Sequence, residues 1–207
     1  MERHSLKKIS YSLKIGIVGS KDTKKEIFLD NIKKTAIESK SFEAYFEFFL
    51  VFKQIPIKIK VFLAEDIDQL IYNYNRIEKL DVLILTMNLN ESNSVHDYNE
   101  ESMNEFNEIF SFQGISILVG MDISQIFKTP PLNNLRISRY NLKKKTKELD
   151  LIYCFEIYNK AEDITEIYNQ ILDDFNFRFQ YSNPELYAQA QKYGIELLKE
   201  YRNLYLC

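Results

Sequence analysis

The residues of this chain whose types and spacing could do chemistry stand just after its first apolar run. Gly19 and Lys25 have the spacing of a phosphate-binding loop, G-x-x-x-x-G-K-[ST]. In that pattern the backbone amides surround the phosphates, the lysine reaches the β and γ groups, and the last hydroxyl binds magnesium. Here Lys24 replaces the second glycine and Glu26 replaces the hydroxyl. We therefore predict a phosphate loop that is damaged at its tight turn and at its metal ligand.

Each candidate residue has a second interpretation. Lys25 could hold a phosphate at a helix N-terminus, or it could be a solvated lysine in a basic patch with Lys21 and Lys24. Asp122 follows an apolar run and could contact a nucleotide base, although a capping role is common for such an Asp. The sequence indicates no catalytic residue, and the candidates for nucleotide binding are Gly19, Lys24, Lys25 and Asp122.

Strand and helix patterns alternate along the chain and would position these residues. Apolar runs typical of buried strands occur at residues 13–19, 81–86, 115–120 and 150–156. Residues 42–65 read as an antiparallel hairpin, and helical periodicity follows the phosphate loop and recurs at residues 164–175. This alternation predicts an α/β layered domain with about six strands, mainly parallel, and one antiparallel hairpin.

The two ends of the chain are predicted to lie outside this domain. Residues 1–12 read as an N-terminal extension, residues 13–180 as the domain, and residues 181–207 as an added amphipathic helix. Pro184 suits the first turn of that helix, with Ser182 or Asn183 as its cap. We expect the apolar face of the helix to cover the core of the domain.

From Leu13 to Phe179, the order of elements resembles the small GTPases of the Ras superfamily. The resemblance rests on four segments. They are the strand and phosphate loop at 13–25, the hairpin, the run from Asp81 to Thr86 and the segment ending at Phe155-Glu156. The resemblance implies a P-loop NTPase fold of the Ras-like, three-layer type. In that family, guanine nucleotide and magnesium occupy the loops at the carboxyl ends of the strands.

The other sequence motifs of that family are missing here. No D-x-x-G follows the hairpin, where the chain reads Phe62-Leu63-Ala64-Glu65-Asp66. Met121-Asp122-Ile123 stands where N-K-x-D belongs, and Tyr158-Asn159-Lys160 stands in place of S-A-K. Since all four motifs are degraded together, we predict that the chain does not hydrolyse GTP by the Ras mechanism.

Composition narrows the possible partners and cofactors. A net charge of −3 does not favour nucleic-acid binding, and His4 and His96 lack metal-ligand spacing. The sequence contains two cysteines, no signal-peptide pattern and no apolar run long enough to cross a membrane. These features predict a soluble, cytoplasmic protein. Cys154 falls in a predicted buried strand as a core thiol, and Lys143 to Lys145 are expected on a solvated helix face.

Three functions are compatible with these patterns. The first is a GTPase-like interaction or scaffold module without a cofactor, which by resemblance would form a homodimer or pair with a GTPase-fold or longin/roadblock-type protein. The alternative is a divergent protein that binds GTP or GDP with magnesium through Gly19, Lys25 and Asp122 and has weak GTPase activity. A receiver-type signalling domain is the third, although Thr86 stands where its phospho-accepting Asp belongs.

Overall fold

A computed structural model describes residues 9–73, 79–130 and 136–204 of the chain. Most of the predicted N-terminal extension, His4 and the final residues from 205 onward lie outside the described residues. No helix among the described residues has the length and apolarity that crossing a membrane would require.

One mixed sheet of seven strands, in the order β2-β3-β4-β1-β5-β6-β7, forms the centre of the molecule. Strands β4, β1, β5, β6 and β7 are parallel neighbours, whereas β2–β3 and β3–β4 are antiparallel pairs. Central strands such as β5 are buried along their whole length, as expected for parallel strands covered on both faces. The strands are β1 (Tyr11–Val18), β2 (Glu38–Ser41), β3 (Phe46–Phe52), β4 (Ile55–Ala64), β5 (Val82–Asn88), β6 (Ile115–Met121) and β7 (Tyr153–Ile157).

Helices cover both faces of the sheet and create two separate apolar cores. The helices are α1 (Ile27–Thr35), α2 (Ile67–Tyr72), α3 (Glu100–Phe110), α4 (Ile123–Phe127), α5 (Arg139–Glu148), α6 (Glu162–Ser182) and α7 (Pro184–Leu204). One core contains residues of α1, α6 and α7, and the other contains residues of α2, α3 and α5. The molecule therefore has three layers, with the sheet in the middle.

The α/β class, the mostly parallel sheet and the hairpin are confirmed, but the strand number is wrong. The extra strand, β2, pairs antiparallel with β3 and contains only exposed residues. A polar Glu-Ser-Lys-Ser segment has no alternation of apolar residues, so its sequence carries no strand signal. The antiparallel start of the sheet also rules out the receiver-type alternative, which has no such hairpin.

Residues just outside both predicted domain boundaries pack against the domain. Strand β1 begins at Tyr11, inside the predicted extension, where Tyr11 pairs with Ile57 of β4 and its ring packs 5.2 Å from that of Phe179. At the other end, the Asn183 side chain accepts a hydrogen bond of 3.1 Å from the Leu186 amide, which confirms the predicted cap of α7. Buried Ala190 contributes to the core beside α6, so α7 covers the domain as expected.

Gly194 allows α7 to approach the β3–β4 hairpin. A Cβ atom at this position would lie 1.9 Å from the carbonyl oxygen of Gln54. The Gln191 amide also donates a hydrogen bond of 3.1 Å to the Gln54 side chain. Helix α7 is thus fitted backbone to backbone against the turn of the hairpin.

Candidate functional site

The predicted phosphate loop, residues 19–25, begins where β1 leaves the sheet. The Gly19 amide donates a 3.1 Å hydrogen bond to the carbonyl of Ala64 at the end of β4. A Cβ atom at Gly19 would lie 1.9 Å from Thr86 Oγ1 and 2.8 Å from Thr23 Oγ1. Internal packing therefore requires glycine at this position, whether or not a ligand approaches the loop.

Two backbone amides of the loop, those of Thr23 and Lys24, donate to carbonyls of the loop itself. Lys21–Thr23 form a 3-10 turn in which the Thr23 amide donates to the Ser20 carbonyl at 3.1 Å. The Lys24 amide donates to the Lys21 carbonyl at 3.2 Å. A phosphate cradle needs such amides to point at the ligand, but here they already have protein acceptors.

Lys24 occupies the place of the second glycine and keeps a glycine-like backbone. Its φ of 52° lies in the left-handed region, and its side chain is exposed. A residue with a Cβ atom pays about 1 kcal/mol for this conformation. The tight turn has therefore survived the loss of the glycine.

The Lys25 side chain is buried, so its interpretation as a solvated lysine is wrong. The residue is only 3% exposed, and its Nζ donates a 2.6 Å hydrogen bond to the Gly19 carbonyl. Burial lowers the pKa of this ammonium group below its ordinary value, against the opposing charges of Glu26 and Glu65. Lys25, which was predicted to bind a phosphate, therefore bonds to the first residue of its own loop.

The other basic residues around the loop face solvent. Lys21 forms an exposed ion pair with Glu65, with 3.3 Å between Nζ and Oε1. Glu26, which replaces the magnesium-binding hydroxyl, is exposed and makes no capping hydrogen bond to α1. The expected basic patch therefore contains Lys21 and Lys24 but not Lys25.

Buried hydroxyl groups fill the space beneath the loop, and sequence reasoning gave them no role. Thr86 Oγ1 lies 2.9 Å from Thr23 Oγ1, and both residues are fully buried. The Tyr98 hydroxyl lies 3.0 Å from the Val18 carbonyl and 2.9 Å from the Thr86 carbonyl, and burial raises its pKa. The position of Thr86 at the end of an apolar run could have indicated a buried hydroxyl near the loop. Tyr98 stands in an acidic segment, where no sequence pattern indicates its burial.

Asp122 lies at the end of β6, which β5 separates from β1 in the sheet. Two strand spacings place it roughly 10 Å from the phosphate loop. Its carboxylate is 1% exposed and caps α4 by accepting from the Gln125 amide at 3.1 Å. Arg136 lies 3.2 Å from the other carboxylate oxygen. Asp122 thus follows a strand, as its apolar run indicated, and acts as a helix cap with both oxygens bonded to protein.

Hydrogen bonds decide the ionisation of Asp122. Burial alone would raise the pKa of this carboxyl group, but the net shift is downward. The donors responsible are Ser124 Oγ at 2.7 Å, the Gln125 amide and Asn90 Nδ2 at 3.2 Å, with the Arg136 charge adding to them. The site therefore holds a charged carboxylate whose acceptor capacity is largely taken.

A mostly apolar cavity of about 370 Å³ lies beside Asp122, at the ends of β5 and β6. Asn88, Asn90, Ile123 and Ser124 are among its lining residues, but Asp122 and the phosphate loop are not. This cavity therefore includes neither of the two predicted nucleotide contacts.

The residues present do not fit a magnesium–nucleotide complex. The Thr23 and Lys24 amides donate to loop carbonyls, the Lys25 ammonium group donates to the Gly19 carbonyl, and Glu26 offers a carboxylate in place of a hydroxyl. Within residues 9–73, 79–130 and 136–204, His, Cys, Asp and Glu side chains form no group of three that could hold a metal ion.

A scan against models of protein families finds no match for this chain, and a search of curated proteins finds none either.

Proposed function

We propose that the chain is a GTPase-like protein-interaction module that does not bind or hydrolyse nucleotide. The observation that carries this proposal is the internally bonded phosphate loop. Its Thr23 and Lys24 amides donate to loop carbonyls, and buried Lys25 donates to Gly19. Groups that would bind a phosphate in an active loop instead hold this loop in one closed conformation.

Opening the loop would cost binding energy. A phosphate would have to replace two neutral hydrogen bonds and one charged hydrogen bond, which together contribute about 4 kcal/mol. That amount corresponds to a factor of roughly 1,000 in affinity, which the new contacts to the phosphate would have to offset. The carboxylate of Glu26 adds repulsion to an anionic ligand at the start of α1.

We further propose that the fold is a modified Ras-like fold. The support is the hairpin β3–β4, the parallel strands that follow it, and the loop that joins β1 to α1. Strand β2 and helix α7 are then additions to it. With the nucleotide site closed, such a scaffold would act through its surface, with a second copy of the chain, a GTPase-fold protein or a longin/roadblock-type protein as proposed partners.

Isothermal titration calorimetry on the full chain tests the absence of nucleotide binding. GTP and GDP, each with magnesium, should produce no saturable heat. The Lys25→Ala variant is the matched control, because any heat that it retains does not come from the phosphate loop. Any sub-micromolar affinity for GTP or GDP would overturn the proposal, and its loss in Lys25→Ala would favour a divergent protein that binds nucleotide through the phosphate loop.

A further inference from the structure

A separate cleft of about 590 Å³ lies between strand β7 and the start of helix α5. Its size is within the range of ligand-binding clefts. Its charged lining residues are Arg136, Arg139, Lys143 and Glu156, and Cys154 and Tyr158 also line it. Cys154 is therefore half-buried at this cleft, and its prediction as a core thiol is only partly correct.

Strand β7 ends the sheet on this side in the described part of the chain. Its one neighbour is β6, and Tyr153 to Glu156 remain partly exposed. An edge strand presents unpaired backbone groups that can accept another strand. The opposite edge, β2, carries Lys40 and Glu38 in four exposed residues, which discourages pairing, whereas the five residues of β7 include one charge, Glu156, and no lysine or proline.

The negative charge inside the β7–α5 cleft is already compensated. Glu156 accepts from Arg139 Nε at 3.2 Å and from the Tyr158 hydroxyl. The Arg136 guanidinium lies 5.2 Å from the Tyr158 ring centre and pairs with Asp122. Internal contacts thus neutralise Glu156 and fix the position of Arg136.

Two cations of the cleft stay accessible to a partner. The Arg139 side chain is 75% exposed, and its guanidinium carries further N–H donors beyond the one bonded to Glu156. Lys143 is also exposed, as are Lys144 and Lys147 on the same helix. Lys145 differs, since it is buried and bonded to Glu148 at 2.6 Å, so the expected solvated run is interrupted there. In a chain of net charge −3, this positive surface is local.

We infer that the β7–α5 cleft binds an acidic, extended segment of a partner protein, which adds as a strand to β7. The free strand edge would recognise the partner's backbone, and Arg139 and Lys143 would select acidic side chains. An extended peptide fits these features better than a nucleic acid or an anionic membrane, because neither of those uses a strand edge. The inference rests on the proposed function as an interaction module and specifies its partner.

Fluorescence anisotropy with a labelled probe peptide tests this inference. A peptide of about eight alternating Glu and Val residues should bind the full chain saturably, and more weakly as salt is raised. The same peptide with N-methylated alternate residues keeps its charge but cannot pair as a strand. We expect its affinity to be at least about tenfold lower. Equal affinity of the two peptides, or no binding of the first, would overturn the inference.

Charge-reversal variants test the role of the cations. Arg139→Glu combined with Lys143→Glu should lower peptide affinity by at least about tenfold. Lys33→Glu with Lys34→Glu changes the net charge equally on exposed positions of α1 and should alter it by less than about twofold. Circular dichroism melting would confirm that both double variants are folded.

Other polyanions provide the remaining outcomes. Tighter binding of a single-stranded DNA oligonucleotide or of phosphatidylserine vesicles than of the peptide would overturn the inference, as would equal losses in the two double variants. The peptide assay contains no nucleotide. Its failure is therefore distinct from a nucleotide affinity found by calorimetry, which would overturn the proposed function.

Discussion

The phosphate loop and the β7–α5 cleft both lie next to parallel strands of the sheet and both contain basic residues. They differ in whether those residues are buried in contacts within the protein or exposed to a partner. In the loop, buried Lys25 donates to Gly19, and the Thr23 and Lys24 amides donate to nearby carbonyls. In the cleft, internal contacts neutralise Glu156 and leave Arg139 exposed. A binding motif in the sequence therefore does not identify the accessible site, because accessibility depends on whether the protein itself has satisfied the polar groups.

Gly19→Ala should have the largest effect and would show how tightly the loop is closed. The added Cβ would lie 1.9 Å from Thr86 Oγ1 and 3.0 Å from the Thr86 carbonyl oxygen, so we expect a loss of about 3 kcal/mol in the free energy of unfolding. Chemical denaturation measures it. Gly16→Ala is the control, because its Cβ would meet only movable leucine side chains, 3.1 Å from Leu80 and 3.2 Å from Leu70. Similar losses at both glycines would contradict the closed loop.

Asp122→Asn tests the residue that connects the candidate nucleotide site with the cleft. At neutral pH we expect a loss of about 2 kcal/mol, since the buried carboxylate has several donors and pairs with Arg136. Because folding lowers the pKa of Asp122, this contribution is present above the unfolded pKa and is lost as the pH falls through the folded pKa. Denaturation measured from pH 7 down to about pH 3 should show the parent and variant converging. A constant difference across that range would refute the assignment.

Tyr98→Phe tests the hydroxyl network beneath the loop. The Tyr98 hydroxyl bridges the carbonyls of Val18 and Thr86, so its removal should cost about 1.5 kcal/mol in thermal or chemical unfolding. Tyr140→Phe provides the control, because Tyr140 is 75% exposed and its hydroxyl should contribute nothing measurable. If the two variants unfold alike, the network does not stabilise the closed loop.

Lys24→Gly should have the smallest effect and the opposite sign. Glycine adopts a φ of 52° without the strain of a Cβ atom, and part of this gain is offset by the entropy that glycine adds to the unfolded chain. We therefore expect the variant to be about 0.5 kcal/mol more stable. It also restores the second glycine of the motif without opening the loop. We therefore expect no nucleotide binding by calorimetry, and binding by this variant alone would show that the missing glycine, rather than the closed loop, prevents it.

Much of the fold could be predicted from the sequence, since buried strands are continuous apolar runs and α6 has a clear apolar stripe. Strand β2 could not, because its four polar residues form a strand only where β3 supplies the hydrogen-bonding partner. The site shows the same limit. The replacements at Lys24 and Glu26 were readable, but the burial of Lys25 was not, because it depends on Gly19 lying opposite its ammonium group.

The sequence by itself determined the order of the elements other than β2, the cap of α7 and the damaged positions of the phosphate loop, because these depend on residue types close together in the chain. Only the tertiary structure decided that Thr86 and Tyr98 fill the space beneath Gly19, and that Arg139 stays exposed beside β7. Those contacts join residues far apart in sequence. Whether a polar group is free for a ligand is therefore a property of the packed molecule, because its nearest partners are set by the fold.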